Sequence, residues 1–380
     1  MDTILSKTNI SFLLFLIVNF LFAVKYTERI TPFYLVISIG IITFYCSIWK
    51  YRMKLNSFQS KLNIVNFSVV LLFFLGSVFV FSKVPQESLM VDRWSVISSF
   101  WDNYFSDEYV YLATSHRGNY PGPMPFYYIL ALPFYLLGEL GYFSLLGIIV
   151  FLSLLKFDKI SVSNQTIAVI LLCSSIFFLW EVISRSNVFL NGSLVLFSII
   201  FLLKSIDKKT SYFVVCNGIL IGLMLSTRNV FVIPYIITFL YILKYKTISI
   251  KEVFYIGIIT ILTFVSTFIP FIYNHIEEFK IMNPFIIQSD YLMPQYLTVI
   301  CVIVSSLFVF LVKSKEDVYF YSGIALFMTI SIYFVYHLIH SGFTESFFNS
   351  RVDISYFILS MPFLMCYFLK TSYLQRTDIT

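Results

Sequence analysis

VPQESLMVDRWSVISSFWDNYFSDEYVYLATSHRGNYPG, residues 84–122, is the long polar interruption in a chain otherwise made of apolar runs. It gathers Asp92, Arg93, Asp102, Asp107, Glu108, His116 and Arg117, and it leads into a proline-rich segment, Asn119-Tyr-Pro-Gly-Pro-Met-Pro-Phe-Tyr-Tyr128. Outward from it, apolar segments recur at residues 9–24, 31–49, 62–82, 124–138, 140–155, 166–180, 190–203, 212–226, 229–243, 253–273, 295–312, 318–338 and 353–369. With 59% hydrophobic and 12% charged residues and a mean hydropathy of +0.86, the chain carries about half the charge of a soluble domain. The runs lack the alternation of barrel strands, and lipid tolerates no unpaired backbone, so they read as helices. The expectation is an all-α polytopic protein of the cell membrane with about 11–13 transmembrane helices. Residues 1–380 form one transmembrane domain, and 84–122 is a large extracytoplasmic loop within it, helical along the outer surface.

Lysine and arginine in connecting loops resist translocation and so report orientation. Lys50, Arg52, Lys54 and Lys61 share one loop. Lys156 with Lys159, Lys204 with Lys208 and Lys209, Lys244 with Lys246 and Lys251, Lys313 with Lys315, and Lys370 with Arg376 occupy others. All of these are cytoplasmic together only if 124–155 crosses once. Pro125–Gly138 is then a re-entrant or surface-lying helix, 140–155 is the true crossing, and both termini are cytoplasmic. The outer side keeps Arg29, Arg93, Arg117, Arg185, Arg228 and Arg351, six of the eight arginines, but only Lys25, Lys83 and Lys280 of eighteen lysines. Arginine binds phosphate with a planar fork and stays charged when partly desolvated, so this bias points to an anionic, phosphorylated ligand. The plainer alternative is that these arginines pair with outer-loop carboxylates or lipid headgroups.

Cys46, Cys173, Cys216, Cys301 and Cys366 all lie within apolar runs without paired spacing, and read as packing residues. Asp92 follows the third span directly, where a carboxylate at the membrane surface can take a proton from a hydroxyl; its plainer reading is a partner for Arg93 or a helix cap. Asp102, Asp107 and Glu108 read as the solvated face of an amphipathic helix whose Trp94, Ile97, Phe100, Trp101 and Tyr104 face lipid. The three carboxylates offer oxygen ligands to a divalent cation, but their spacing matches no loop signature, and no cofactor or metal is expected. Pro121, Pro123 and Pro125 set an extended entry into a helix, since a first-turn proline loses no hydrogen bond.

The order Asp92…Tyr120-Pro-Gly-Pro-Met-Pro-Phe-Tyr-Tyr-Ile-Leu-Ala-Leu-Pro-Phe-Tyr-Leu-Leu-Gly138 resembles the GT-C superfamily of integral membrane glycosyltransferases. Ile183-Ser-Arg-Ser-Asn187 and Gly222-Leu-Met-Leu-Ser-Thr-Arg228 also fit its habit. The resemblance spans about Asp92 to Pro234. It departs in having two apolar spans before the one that leads into the loop, and Arg93 where a second acid is common. It implies an inverting glycosyltransferase that moves a sugar from a polyprenyl-phosphate donor to a hydroxyl of a glycan or lipid-linked acceptor at the outer face. Asp92 would be the base, Arg117, Arg185 or Arg228 would hold the donor phosphate, and His116 would assist. A polysaccharide polymerase is the alternative within this chemistry, although its dominant loop would come late, where 274–294 and 339–352 are shorter. A flippase or transporter is the alternative outside it, but would place charge inside the spans. The later outer loops bring His275, Glu277, Glu278, Lys280, Asp290, His340, Glu345, Arg351 and Asp353, as solvated charges or as acceptor contacts. No nucleic-acid partner is expected.

Overall fold

The computed structural model describes residues 6–52, 59–208, 212–291 and 293–374. Lys54, Lys209, Arg376, both chain ends and the side chains of Lys208 and Asp290 lie outside the described set. Every regular element in it is helical. The first helices are α1 (Lys7–Thr27), α2 (Tyr34–Tyr51) and α3 (Gln59–Lys83); the polar loop then holds α4 (Arg93–Phe105). Next come α5 (Pro125–Leu136), α6 (Gly141–Phe157), α7 (Val162–Ser174), α8 (Ile176–Ile183), α9 (Val188–Lys208), α10 (Phe213–Leu225) and α11 (Val232–Lys244). The last third has α12 (Ile250–Ser266), three short helices α13 (Ile269–Ile272), α14 (Ile276–Ile281) and α15 (Pro284–Tyr291), then α16 (Gln295–Leu307), α17 (Lys315–Ser341) and α18 (Met361–Leu374). Among the described residues 7 helices are long and apolar enough to cross a membrane, or up to 9 if each of 2 bent pairs is one span. The apolar α10, α11 and α16 are shorter. The chain is an all-α, multi-pass membrane protein.

The helices run between two chemically different ends. At one, Lys204 and Lys370 both grip the buried Asp158 (3.0 and 2.7 Å), Lys370 also reaches Glu316 (3.1 Å), and Lys7 bonds Asp317 (2.5 Å). Lys244 caps the carbonyls of Val309 and Val312, each at 3.0 Å. Ser6, Ser161, Ser249 and Ser314 each cap the first turn of a helix starting from this end, satisfying amides that have no partner within the helix. The other end holds Lys25, Arg29, Arg93 and Arg185, bound to Val352, Phe348, Asp353 and Glu139. Between α5 and α6 the direction changes by 117°. That angle belongs either to a broken span or to a re-entrant helix.

The polar loop builds its own aromatic core on α5. Phe100 stacks on Tyr128 with ring centroids 3.7 Å apart, the Trp101 indole N–H donates to the Tyr128 carbonyl (3.2 Å), and Phe271 closes over both Phe100 and Trp101. This corrects the expectation that Ile97, Phe100 and Trp101 face lipid: they are buried, because α5 offers them an aromatic surface that the linear sequence does not disclose. Tyr104 remains partly exposed, and Trp94 stacks on His116.

One close contact positions the end of α10. A Cβ on Gly218 would lie 2.6 Å from Ile259, and one on Gly222 would lie 2.6 Å from the Thr260 carbonyl, so the Gly218-x-x-x-Gly222 pair lets α12 approach backbone to backbone. Gly222→Val is expected to cost about 1–3 kcal/mol by overpacking. A lowered unfolding temperature in detergent checks this; an unchanged one would mean that α12 yields freely.

Candidate functional site

Asp92 stands at the start of α4, half-buried. Its Oδ2 accepts from Asn119 Nδ2 (2.5 Å) and Ser115 Oγ (3.3 Å), while Oδ1 has no hydrogen-bond partner among the described residues. The local fold explains the grip. Residues 115–119 form a turn in which Ser115 Oγ accepts from the Arg117 and Asn119 amides, and Gly118 takes φ +77°, a conformation glycine adopts at little cost. Two side chains of this turn thereby hold Asp92, so it does not spend its carboxylate on the helix cap or on Arg93. The Ser95 hydroxyl donates to the Asp92 carbonyl and meets His116 Nδ1 at 2.7 Å. Arg117 is exposed and donates to the Met90 carbonyl (3.1 Å).

Arg93 turns away from Asp92. It pairs with Asp353 and donates to Ser355 Oγ (2.6 Å). Burial pushes the Asp353 carboxyl up, but the Arg93 guanidinium and the Ser355 hydroxyl and amide more than offset this and hold it below the usual carboxylate range. Arg185 is fully buried. Its Nε and Nη2 bind Glu139 (3.0 and 3.1 Å), its Nη1 and Nη2 bind the carbonyls of Ile183 and Val84 (both 2.7 Å), and it lies over the Phe81 ring. Four of the five guanidinium N–H donors are thereby engaged within the protein. Arg185 ties the α5–α6 elbow to the α8–α9 elbow.

Arg228 differs from these. It follows α10 in extended conformation, half-buried, over the rings of Tyr127 (5.5 Å) and Tyr356 (6.0 Å), with no hydrogen bond or ion pair among the described residues. The proline-rich segment meets it there: the Met124 amide donates to the Thr227 carbonyl (3.1 Å), and the Phe126 amide to Ser226 Oγ (3.2 Å). Tyr128 lies within electrostatic reach of both Asp92 and Arg228. Asp92, His116, Arg117 and Arg228 therefore share the arginine-rich end, where Arg185 is paired with Glu139.

Several residues of this end had no sequence signal. Ser115, Asn119 and Tyr356 are ordinary loop polar or aromatic residues until the chain folds. Glu181, fully buried in α8, receives the Phe189 amide (2.8 Å) on Oε1, whereas its Oε2, Ser186 Oγ and both polar side-chain atoms of Asn191 have no hydrogen-bond partner among the described residues. Buried polar groups are seldom left so, and water or a ligand is the usual partner.

The carboxylates of the loop are dispersed. Asp102 accepts from the Tyr135 hydroxyl (2.6 Å), and Asp107 and Glu108 face a separate cleft. Among the described residues no three His, Cys, Asp or Glu side chains are placed to hold a metal, so the divalent-cation reading of Asp102, Asp107 and Glu108 has no geometric support. The later loop charges mostly pair locally, Lys280 with Glu277 (2.6 Å), Glu345 with Asn349 (2.7 Å) and His340 with the Tyr336 carbonyl (2.7 Å). All five cysteines are free.

Fold and site define a multi-pass α-helical membrane protein whose unpaired polar chemistry lies at the arginine-rich end of the bundle. In comparisons with family models, with curated proteins and with solved structures, nothing matches this chain.

Proposed function

We propose that the protein is an inverting glycosyltransferase of the GT-C type, using a polyprenyl-phosphate sugar donor and a hydroxyl of a glycan or lipid-linked acceptor at the outer face of the membrane. The observation that carries this reading is the pairing of opposites at one end of the bundle: a carboxylate with one oxygen free of hydrogen bonds, and a half-buried arginine with no hydrogen bond or ion pair, both among the described residues. In the reaction the acceptor oxygen attacks the anomeric carbon and its proton passes to Asp92 Oδ1. The bond from that carbon to the phosphate oxygen breaks, with the electron pair leaving on polyprenyl phosphate. Arg228 neutralises the leaving phosphate, where low dielectric strengthens the interaction, and Arg117 and His116 border the entrance. Sugar release from a radiolabelled polyprenyl-phosphate hexose or pentose by the purified protein tests the reading. A donor left intact but moved across a proteoliposome membrane would replace it with a flippase.

Arg228→Lys is expected to lower turnover about ten- to a hundredfold, although charge is kept, because lysine forms one bond where the guanidinium fork makes two. Wild-type turnover by this variant would remove Arg228 from the site.

The lysine end is cytoplasmic and the arginine end external in this reading. In a background without other cysteines, a cysteine at Ser106 should react with an impermeant thiol reagent in intact cells, and one at Lys246 only after permeabilisation. The reverse pattern would place the site inside.

A further inference from the structure

Beyond the Ser226–Thr267 hydrogen bond (2.6 Å), which joins the end of α10 to the end of α12, lies a cleft of ≈ 640 Å3. That volume is in the range of small-molecule sites. Tyr104, Asp107 and Glu108 line it from the end of α4, and Tyr273, Asn274 and His275 from the turn between α13 and α14. Its wall is firm, since Phe271 packs against Phe100, Trp101 and Tyr104 with centroids 5.1 to 5.9 Å apart. Among the described residues the exposed Asp107 and Glu108 carboxylates have no partner, and no lysine or arginine lines the cleft. Tyr273 is 77% exposed.

These groups suit one class of ligand. A flat exposed tyrosine offers an apolar face with a polar edge, which fits the C–H face of a pyranose ring. Carboxylates accept hydrogen bonds from ring hydroxyls, and an asparagine both donates and accepts. Two unpaired carboxylates repel any anion, so the cleft is the electrostatic opposite of the Arg228 region.

We propose that this cleft is a saccharide-binding subsite that takes sugars without an anionic group, neutral or amine-bearing. In the transfer reaction it holds the acceptor glycan, apart from the arginines that hold the donor phosphate; that second statement rests on the glycosyltransferase reading, while the first stands without it.

The test is binding to the full-length protein in nanodiscs, by calorimetry, of the trisaccharides of N-acetylglucosamine, glucosamine and galacturonate. The first two should bind, and galacturonate should bind at least about tenfold more weakly. Tyr273→Ala should weaken the two binders about tenfold. Glu108→Gln, which keeps shape and removes charge, should narrow the gap to galacturonate about threefold or more. These are binding measurements made without donor, so the loss of transfer and the loss of this subsite are separate results. Galacturonate binding as tight as N-acetylglucosamine, wild-type affinity in Tyr273→Ala, or no binding of any trisaccharide would each overturn the assignment.

Discussion

Asp92→Asn is expected to lower sugar transfer by about 10²–10⁴-fold, the usual contribution of a general base, while the protein still folds and inserts. The substitution keeps the shape of the side chain and still offers an oxygen to Asn119 and Ser115, the two groups that hold Oδ2. What it removes is the capacity of Oδ1 to accept the acceptor's proton. Initial rates of release from the polyprenyl-phosphate donor measure the effect, with unfolding temperature as the control. A variant within about threefold of wild type would take the base role from Asp92. Asp102 would be a poor successor, since it is already bonded to Tyr135.

Glu139→Ala is expected to destabilise the fold by about 3–5 kcal/mol, because it leaves the buried Arg185 charge without its carboxylate. The Arg185 side chain is 0% exposed, and Glu139 binds two of its nitrogens while also accepting the Gly141 amide that begins α6 (2.7 Å). The loss should appear in thermal unfolding in detergent, with or without donor present. Donor-dependent loss would return Arg185 to the phosphate site. Full stability of the variant would mean that the carbonyls of Ile183 and Val84 suffice, and that the α5–α6 elbow is held otherwise.

How much was legible before folding can be judged from particular residues. Asp92, His116 and Arg117 stood out because they lie in one polar segment between apolar runs. Arg228 stood out because it ends a span. What separates Arg228 from Arg185 and Arg93 was not legible: all three are arginines near the outer ends of spans, and their partners Glu139 and Asp353 lie 46 and 260 residues away. Nor did the sequence distinguish the two environments open to Ile97, Phe100 and Trp101. An apolar helix face satisfies lipid and a protein surface equally, and only the placement of Tyr128 and Phe271 decides for protein.

Read along the chain alone, hydropathy and charge determined the membrane class, the helical character, the exceptional loop and the segregation of lysine from arginine, because each depends on composition within a segment. Tertiary structure decided which charges are spent and which are free. It joined the proline-rich entry of α5 to the end of α10, gathered Asp158, Lys204 and Lys370 at one end, and left Arg228 at the other without an ion pair among the described residues. The physical reason is range: burial in lipid acts on a single helix, whereas an ion pair or a hydrogen bond exists only when packing brings two distant segments within a few ångströms.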